Sequence, residues 1–303
     1  MKQFRIHIPL TAALILIAVG IATIATRSSR GQSPSSPQKT ESLVKPTVMT
    51  PNPVRPNAPF AEASVQNSQL RNELVWTFGS KQQHGWYLYD SLIGQTFTIG
   101  FDAPSTGFAS AVADWQKQKK LAATGVMDEN SFMALVAQWQ ANRLKVKTLA
   151  TPDQLLTAPI SDFFDPERLA ENRQVEKSTY AAYRQMLAAA IADPTLNLAH
   201  TSPNDLAATE KYFKIISSFR SPEYQAKLRR ESPGAGTAGL AINSPHFTGR
   251  ALDLYVGGDP VDTRDSNRAI QVNTPVYKWL VRNAERFGFR PYFYEPWHWE
   301  YVK

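Results

Sequence analysis

Hydrophobic and polar positions change rhythm several times along this chain, and each rhythm predicts an element. The first is an unbroken apolar run, "IPLTAALILIAVGIATIA" from Ile8 to Ala25, preceded by Lys2, Arg5 and His7. It is about as long as a bilayer crossing requires and longer than the roughly 7–15-residue apolar core of a secretory signal. No crisp Ala-x-Ala cleavage site follows. Residues 1–26 therefore read as an N-terminal membrane anchor, with a cleaved signal peptide as the other reading; either sends the rest of the chain out of the cytoplasm. Periodicity then vanishes. "SSRGQSPSSPQK" and "PTVMTPNPVRPNAP" hold mostly Ser and Pro, with too little apolar surface for a core, so residues 27–69 are expected to be an extended linker.

Beyond residue 70 patterned structure begins. "NELVWTFG" and "GQTFTIGF" predict short strands. "GFASAVADWQKQKKL" then spaces Phe108, Val112, Trp115 and Leu121 close to a helical period. "TGVMDENSFMALVAQWQ" puts Phe132, Leu135, Val136 and Trp139 on one helical face behind Asp128 as N-cap. Residues 70–149 are thus predicted to be a small, mainly helical module, and residues 150–164, with Pro152 and Pro159, a second linker. From 165 to 303 helices and strands alternate. "EKSTYAAYRQMLAAAIA" is a helix, and "KYFKIISSF" ends in a strand. "SPEYQAKLRRE" restarts as a helix with Ser221 as cap and Pro222 first. "RALDLYV" is a strand, "TPVYKWLVRNAERFG" a helix closed by Gly288, and "RPYFYEPWHWEYV" supplies two more short strands. The fold class is α+β.

Composition narrows the chemistry. Of 303 residues, 43% are hydrophobic and 19% charged, enough apolar side chains for a real core. Cysteine is absent, which excludes disulfides, cysteine nucleophiles and thiolate zinc sites, so any metal is held by nitrogen and oxygen. A net charge of +7 suits an anionic partner: nucleic acid, a membrane surface or a cell-wall polymer. With no nucleic-acid-reading motif, no dense Lys/Arg cluster and an exported chain, nucleic acid is not expected.

The stretch "SPHFTGRALDL" holds His246, Gly249 and Asp253. Strand alternation sets Ala251, Asp253 and Tyr255 on one face and Leu252, Leu254 and Val256 on the core face. Gly249 permits a tight turn that brings His246 back over Asp253. Alone, the stretch fits a surface histidine beside a solvated aspartate equally well. "YEPWHWEYV" adds Glu295 and His298. A regular strand would place these two on opposite faces; a bend at Pro296 would let them share a cavity. Catalytic zinc takes three protein ligands plus water, and His246, Asp253 and His298 form such a set. Glu295 is then left over, where a general base belongs. His7, His84 and His200 lack acidic partners at ligand spacing.

Two resemblances attach to these residues. Ser244-x-His246-x-x-Gly249-x-Ala251-x-Asp253 followed by Glu295-Pro-Trp-His298 is similar to both motifs of the VanY-like D-alanyl-D-alanine carboxypeptidases, zinc peptidases grouped with lysostaphin-type enzymes and the hedgehog signalling domain. "SSFRS" at 217–221 resembles their "SGYRS" element, with Ser218 in place of glycine and Phe219 in place of tyrosine. The resemblance implies a small antiparallel sheet flanked by helices, a Zn2+ held by His246, Asp253 and His298, Glu295 as general base, and Arg220 polarising the scissile carbonyl. Ser244 would touch the substrate or simply cap a turn. The implied activity is release of the terminal D-alanine from peptidoglycan stem peptides. A cell-wall endopeptidase, or a zinc-containing wall-binding module without catalysis, are the other readings. In the first module, Trp115, Gln116, Leu121, Thr124, Gly125, Met127, Asp128, Phe132 and Leu135 resemble a peptidoglycan-binding helical module, which implies wall binding.

Overall fold

A computed structural model describes residues 59–231 and 243–303. The anchor or signal reading of residues 1–26, and the linker up to residue 58, lie outside the described residues. Among the described residues no helix is long and apolar enough to cross a membrane.

The last part of the expected linker is helical: α1 spans Ala61–Glu73. Its sequence, AEASVQNSQLRNE, has almost no apolar stripe, which is why periodicity misses it. Tertiary bonds hold it instead. Asn67 donates to the Gly125 carbonyl at 2.8 Å and accepts from the Met127 N–H at 2.7 Å. A hairpin follows, β1 (Val75–Phe78) with β2 (Lys81–His84). "GQTFTIGF" does not form the expected strand. Its first four residues end helix α2 (Asp90–Phe97), which closes at Thr98 in the left-handed region. The two helices read from the sequence are present as α3 (Thr106–Gln118) and α4 (Glu129–Ala141), the latter capped by Asp128 accepting from the Ser131 N–H. Gln116 stitches the turn between them, donating to Ser131 and the Val126 carbonyl and accepting from the Gly125 N–H. Gly125 sits at φ 75°, where a Cβ would lie 2.7 Å from the Ala109 carbonyl oxygen, so the turn requires glycine.

Residues 150–164, expected as a linker, carry a strand. β3 (Leu155–Thr157) pairs antiparallel with β4 (Gln174–Glu176), and the Ala150 N–H donates to Phe247. Next come α5 (Lys177–Ile191), the small β5–β6 hairpin (His200–Ser202 and Asp205–Leu206), β7 (Ile215–Ser217) and α6 (Pro222–Glu231). The chain closes through β8 (Ala251–Leu254), α7 (Asp265–Asn273), α8 (Pro275–Asn283), β9 (Phe289–Pro291) and β10 (His298–Tyr301). Four of these strands form an antiparallel sheet in the order β7-β8-β10-β9.

One continuous apolar core runs from Leu74 to Trp299. Phe293 shows how the two halves meet. Its ring stands 4.8 Å from Phe78, 5.5 Å from Tyr89 and 6.1 Å from Trp139. Arg268 of α7 adds a second tie: it lies over the rings of Tyr294 and Tyr89 and donates to the Tyr89 hydroxyl.

Candidate active site and metal centre

β8 and β10 are neighbours, and their register sets His298 directly opposite Asp253. Cross-strand partners bring their side chains together, and His298 Nδ1 lies 2.8 Å from Asp253 Oδ1. His246 arrives from a turn rather than a strand. Pro245–Thr248 is a 3-10 turn with Ser244 as its cap and Gly249 closing it at φ 66°. A Cβ on Gly249 would meet the Glu176 nitrogen at 2.9 Å, so glycine lets this turn press against β4. The turn aims His246 Nε2 at the same Asp253 oxygen, at 3.3 Å.

His246, Asp253 and His298 are the group, among the described residues, able to offer a metal three ligand atoms, all within 4.8 Å of one another. All three are buried. The donor chemistry fits zinc: two imidazoles, one carboxylate, and a partner on the outer nitrogen of each ring. His246 Nδ1 is 2.7 Å from the Ser218 carbonyl oxygen. An imidazole nitrogen facing a carbonyl must be the N–H, which leaves Nε2 as the lone-pair donor. His298 Nε2 is 3.2 Å from Glu300 Oε1.

The surroundings push the two imidazoles in opposite directions. Burial, with the Arg220 cation nearby, lowers His246 to about 4, so it is neutral. Burial also works against a charged His298, but its bonds to Asp253 and Glu300 outweigh this and raise it to about 9. Burial opposes ionisation of Asp253 as well; the Arg220 guanidinium and the bond from His298 overcome it and hold the carboxyl well below its ordinary range.

Glu295 reaches the site through the bend expected at Pro296. The Glu295 N–H donates to the Tyr292 carbonyl, and the His298 N–H to that of Glu295, at 3.1 and 2.9 Å. These two successive turns break the strand period, so Glu295 and His298 are not forced to opposite faces. Burial raises the Glu295 carboxyl to about 7, with His298, Asp253, Arg220 and Arg143 as its charged neighbours. Arg220 follows β7 and is buried. It donates to Ser217 Oγ at 2.8 Å, Gln225 Oε1 at 3.4 Å and Asp253 Oδ2 at 2.6 Å. It thus grips the Asp253 oxygen that the histidines do not face. Ser244 is buried too and accepts from the His246 N–H at 3.3 Å, the turn-capping arrangement.

The structure therefore gathers His246, Asp253 and His298 directly, with Arg220 in contact, Glu295 among their charged neighbours and Ser244 under His246. Sequence reasoning missed Glu300. A signal for it existed, since two residues along a strand from His298 means the same face. It also missed Arg143, which bonds Glu300 across 157 positions and carries no local signal.

Residues 172–303 match the VanY family, described as D-alanyl-D-alanine carboxypeptidase. No curated protein matches the chain. Three solved structures are similar. One is the LdcB LD-carboxypeptidase, from work on peptidoglycan recognition: 22% identity, 50% of this chain, 70% of that one, TM-score 0.35. The second is a vancomycin resistance D,D-pentapeptidase VanY from a VanB-type cassette, in complex with Zn(II): 20% identity, 52% and 88% coverage, TM-score 0.30. The third is VanYB in complex with D-alanine-D-alanine: 21% identity, 52% and 86% coverage, TM-score 0.29.

Proposed function

With its residues 172–303 matching the VanY family, described as D-alanyl-D-alanine carboxypeptidase, we propose that this chain is a zinc-dependent enzyme releasing the terminal D-alanine of peptidoglycan stem peptides. The observation that carries the reading is the buried His246–Asp253–His298 cluster, with an acid base candidate left over beside it. A zinc ion held by these three side chains supplies a Lewis acid and lowers the pKa of water towards neutrality.

The remaining steps fall to the chain's own residues. Ionised Glu295 accepts a proton from the attacking water on its carboxylate and returns it to the leaving amine. Its raised pKa suits both directions, because a base near the working pH also serves as an acid. Arg220 has five N–H donors; the three bonds described above leave donors for the scissile carbonyl oxygen, where negative charge develops. Asp253 keeps that guanidinium in place from one oxygen and faces the histidines with the other. Ser244 fixes the turn that presents His246.

Action on peptidoglycan places the enzyme outside the cytoplasm. The apolar run of residues 8–25 supports a membrane anchor, and the helical module's resemblance over 115–135 supports added affinity for the wall. The test is mass spectrometry of a stem pentapeptide ending in D-alanyl-D-alanine, incubated with the zinc-loaded full chain. Loss of one D-alanine, abolished by a chelator and restored by zinc, is expected. Cleavage at an internal bond, or none, contradicts the reading.

A further inference from the structure

Glu300 is fully buried on β10, on the same face as His298. Its register partner on β8 is Ala251, which is small enough to leave that face open. Into the space comes the segment just after α4. Arg143 donates from Nε to Glu300 Oε1 at 3.1 Å and from Nη2 to the same oxygen, and the Leu144 N–H donates to Oε2 at 2.8 Å. Arg143 is itself fixed. Its Nη1 donates to Gln140 at 3.1 Å, and its guanidinium stacks 3.8 Å from the centre of the Tyr292 ring. Tyr292 in turn donates its N–H to the His298 carbonyl.

We propose that Glu300, clamped by Arg143 and Leu144, is the positioning residue that orients His298 for the metal, so that the helical half completes the metal site. This rests on the reading of His298 as a zinc ligand. Glu300 acts on the tautomer and the direction of the ring. A neutral imidazole has one N–H and one lone pair, and the partner of the outer nitrogen decides which is which. When a metal takes the Nδ1 lone pair, the remaining ring proton sits on Nε2, where it faces Glu300, and that bond fixes the direction of the ring. A carboxylate behind a metal-bound histidine also raises its basicity and fixes its ring plane.

An ion pair serving stability alone would be a poor use of this position. Replacing a buried pair with apolar residues is often neutral or stabilising. Here both Glu300 oxygens are occupied, and one of them faces the imidazole as well as the guanidinium. His246 differs, because its outer nitrogen meets the Ser218 carbonyl from within residues 172–303. For His298 the final support, Arg143, lies outside that stretch.

The test uses the full chain, stripped of metal and titrated with zinc against a chromophoric chelator. Glu300→Gln keeps the shape and should weaken zinc binding about 10–100-fold, the usual cost of losing such a partner. Arg143→Ala should weaken it similarly, and Arg143→Lys, which keeps the charge but not the two-nitrogen grip or the flat face on Tyr292, should recover only part of the affinity. Tyr89→Phe is the control: it removes the Arg268–Tyr89 bond between the same two halves. It should lower the melting temperature and leave zinc affinity unchanged. Glu300→Gln binding zinc within about twofold of wild type overturns the proposal while the zinc site stands. Equal loss of affinity in Tyr89→Phe also overturns it, since affinity would then merely follow packing. A wild-type chain that binds no stoichiometric zinc removes both this proposal and the ligand reading beneath it.

Discussion

The turn at 244–249 and strand β10 each present one histidine to the same aspartate, yet they are held in different ways. The turn is local. Ser244 caps it, Gly249 closes it, and the Ser218 carbonyl fixes the ring it carries. The strand depends on distant residues: its His298 leans on Glu300, which leans on Arg143 in the other half of the molecule. A ligand whose supports all lie in motif stretches, here 217–221 and 244–249, can be read from them. One supported across the fold cannot, because its second partner is chosen by packing.

The largest effects are expected at the rings themselves. His246→Ala and His298→Ala should both lose zinc and reduce D-alanine release to background, since three ligands are the minimum for a catalytic site. Retained zinc and activity in either variant would show that the two regions do not share one ion. Below this in size comes Glu295→Gln, which keeps the side chain's shape and removes its basicity. It should keep zinc and lose about 10²–10⁴-fold in kcat. Burial raises the Glu295 carboxyl to about 7, and the base must be ionised to act. Wild-type kcat/KM should therefore fall as pH drops through that group's pKa in the zinc-loaded enzyme, and the residual activity of the Gln variant should lack this acidic limb. A pH–rate profile of both proteins checks it.

Stability sharpens the contrast further. Phe293 lies two residues before Glu295 but packs on Phe78, Tyr89 and Trp139 of the helical half. Phe293→Ala should cost about 3–5 kcal/mol in denaturant unfolding, as for other buried aromatics. A loss under about 1 kcal/mol would mean that the halves are only loosely joined. The smallest effect is expected at Ser218, whose buried hydroxyl has no hydrogen-bond partner among the described residues. Ser218→Gly keeps the carbonyl that holds His246. Glycine's roughly 0.5–1 kcal/mol backbone cost is offset by removing an unpaired hydroxyl. Zinc affinity should not change, and a marked drop would show that the hydroxyl, not the carbonyl, supports the turn.

Legibility followed range. Strong periodicity located α3, α4, α5 and α8, and Asp128 marked the start of α4; Gly288, expected to close α8, instead closes the 3-10 turn Ala284–Phe287 after that helix ends at Asn283. Helix α1 stayed hidden because Asn67, not an apolar stripe, ties it down. "GQTFTIGF" misled because its alternating apolar residues also satisfy one helical turn and its cap. The 150–164 stretch looked like a linker because β3 is three residues long and is made a strand only by its partner β4. At the site, the motif residues were visible, and Pro296 announced the bend. Arg143 was not visible, since nothing near it in sequence distinguishes a site residue from any other arginine after a helix.

The most direct test of the whole account is a metal count. The full chain is loaded with zinc, dialysed exhaustively and subjected to elemental analysis beside His298→Ala. About one zinc per wild-type chain is expected, from three nitrogen and oxygen ligands at a single site, and none in the variant. A wild-type protein with no stoichiometric zinc, or a variant that keeps it, would contradict the site on which everything else here depends.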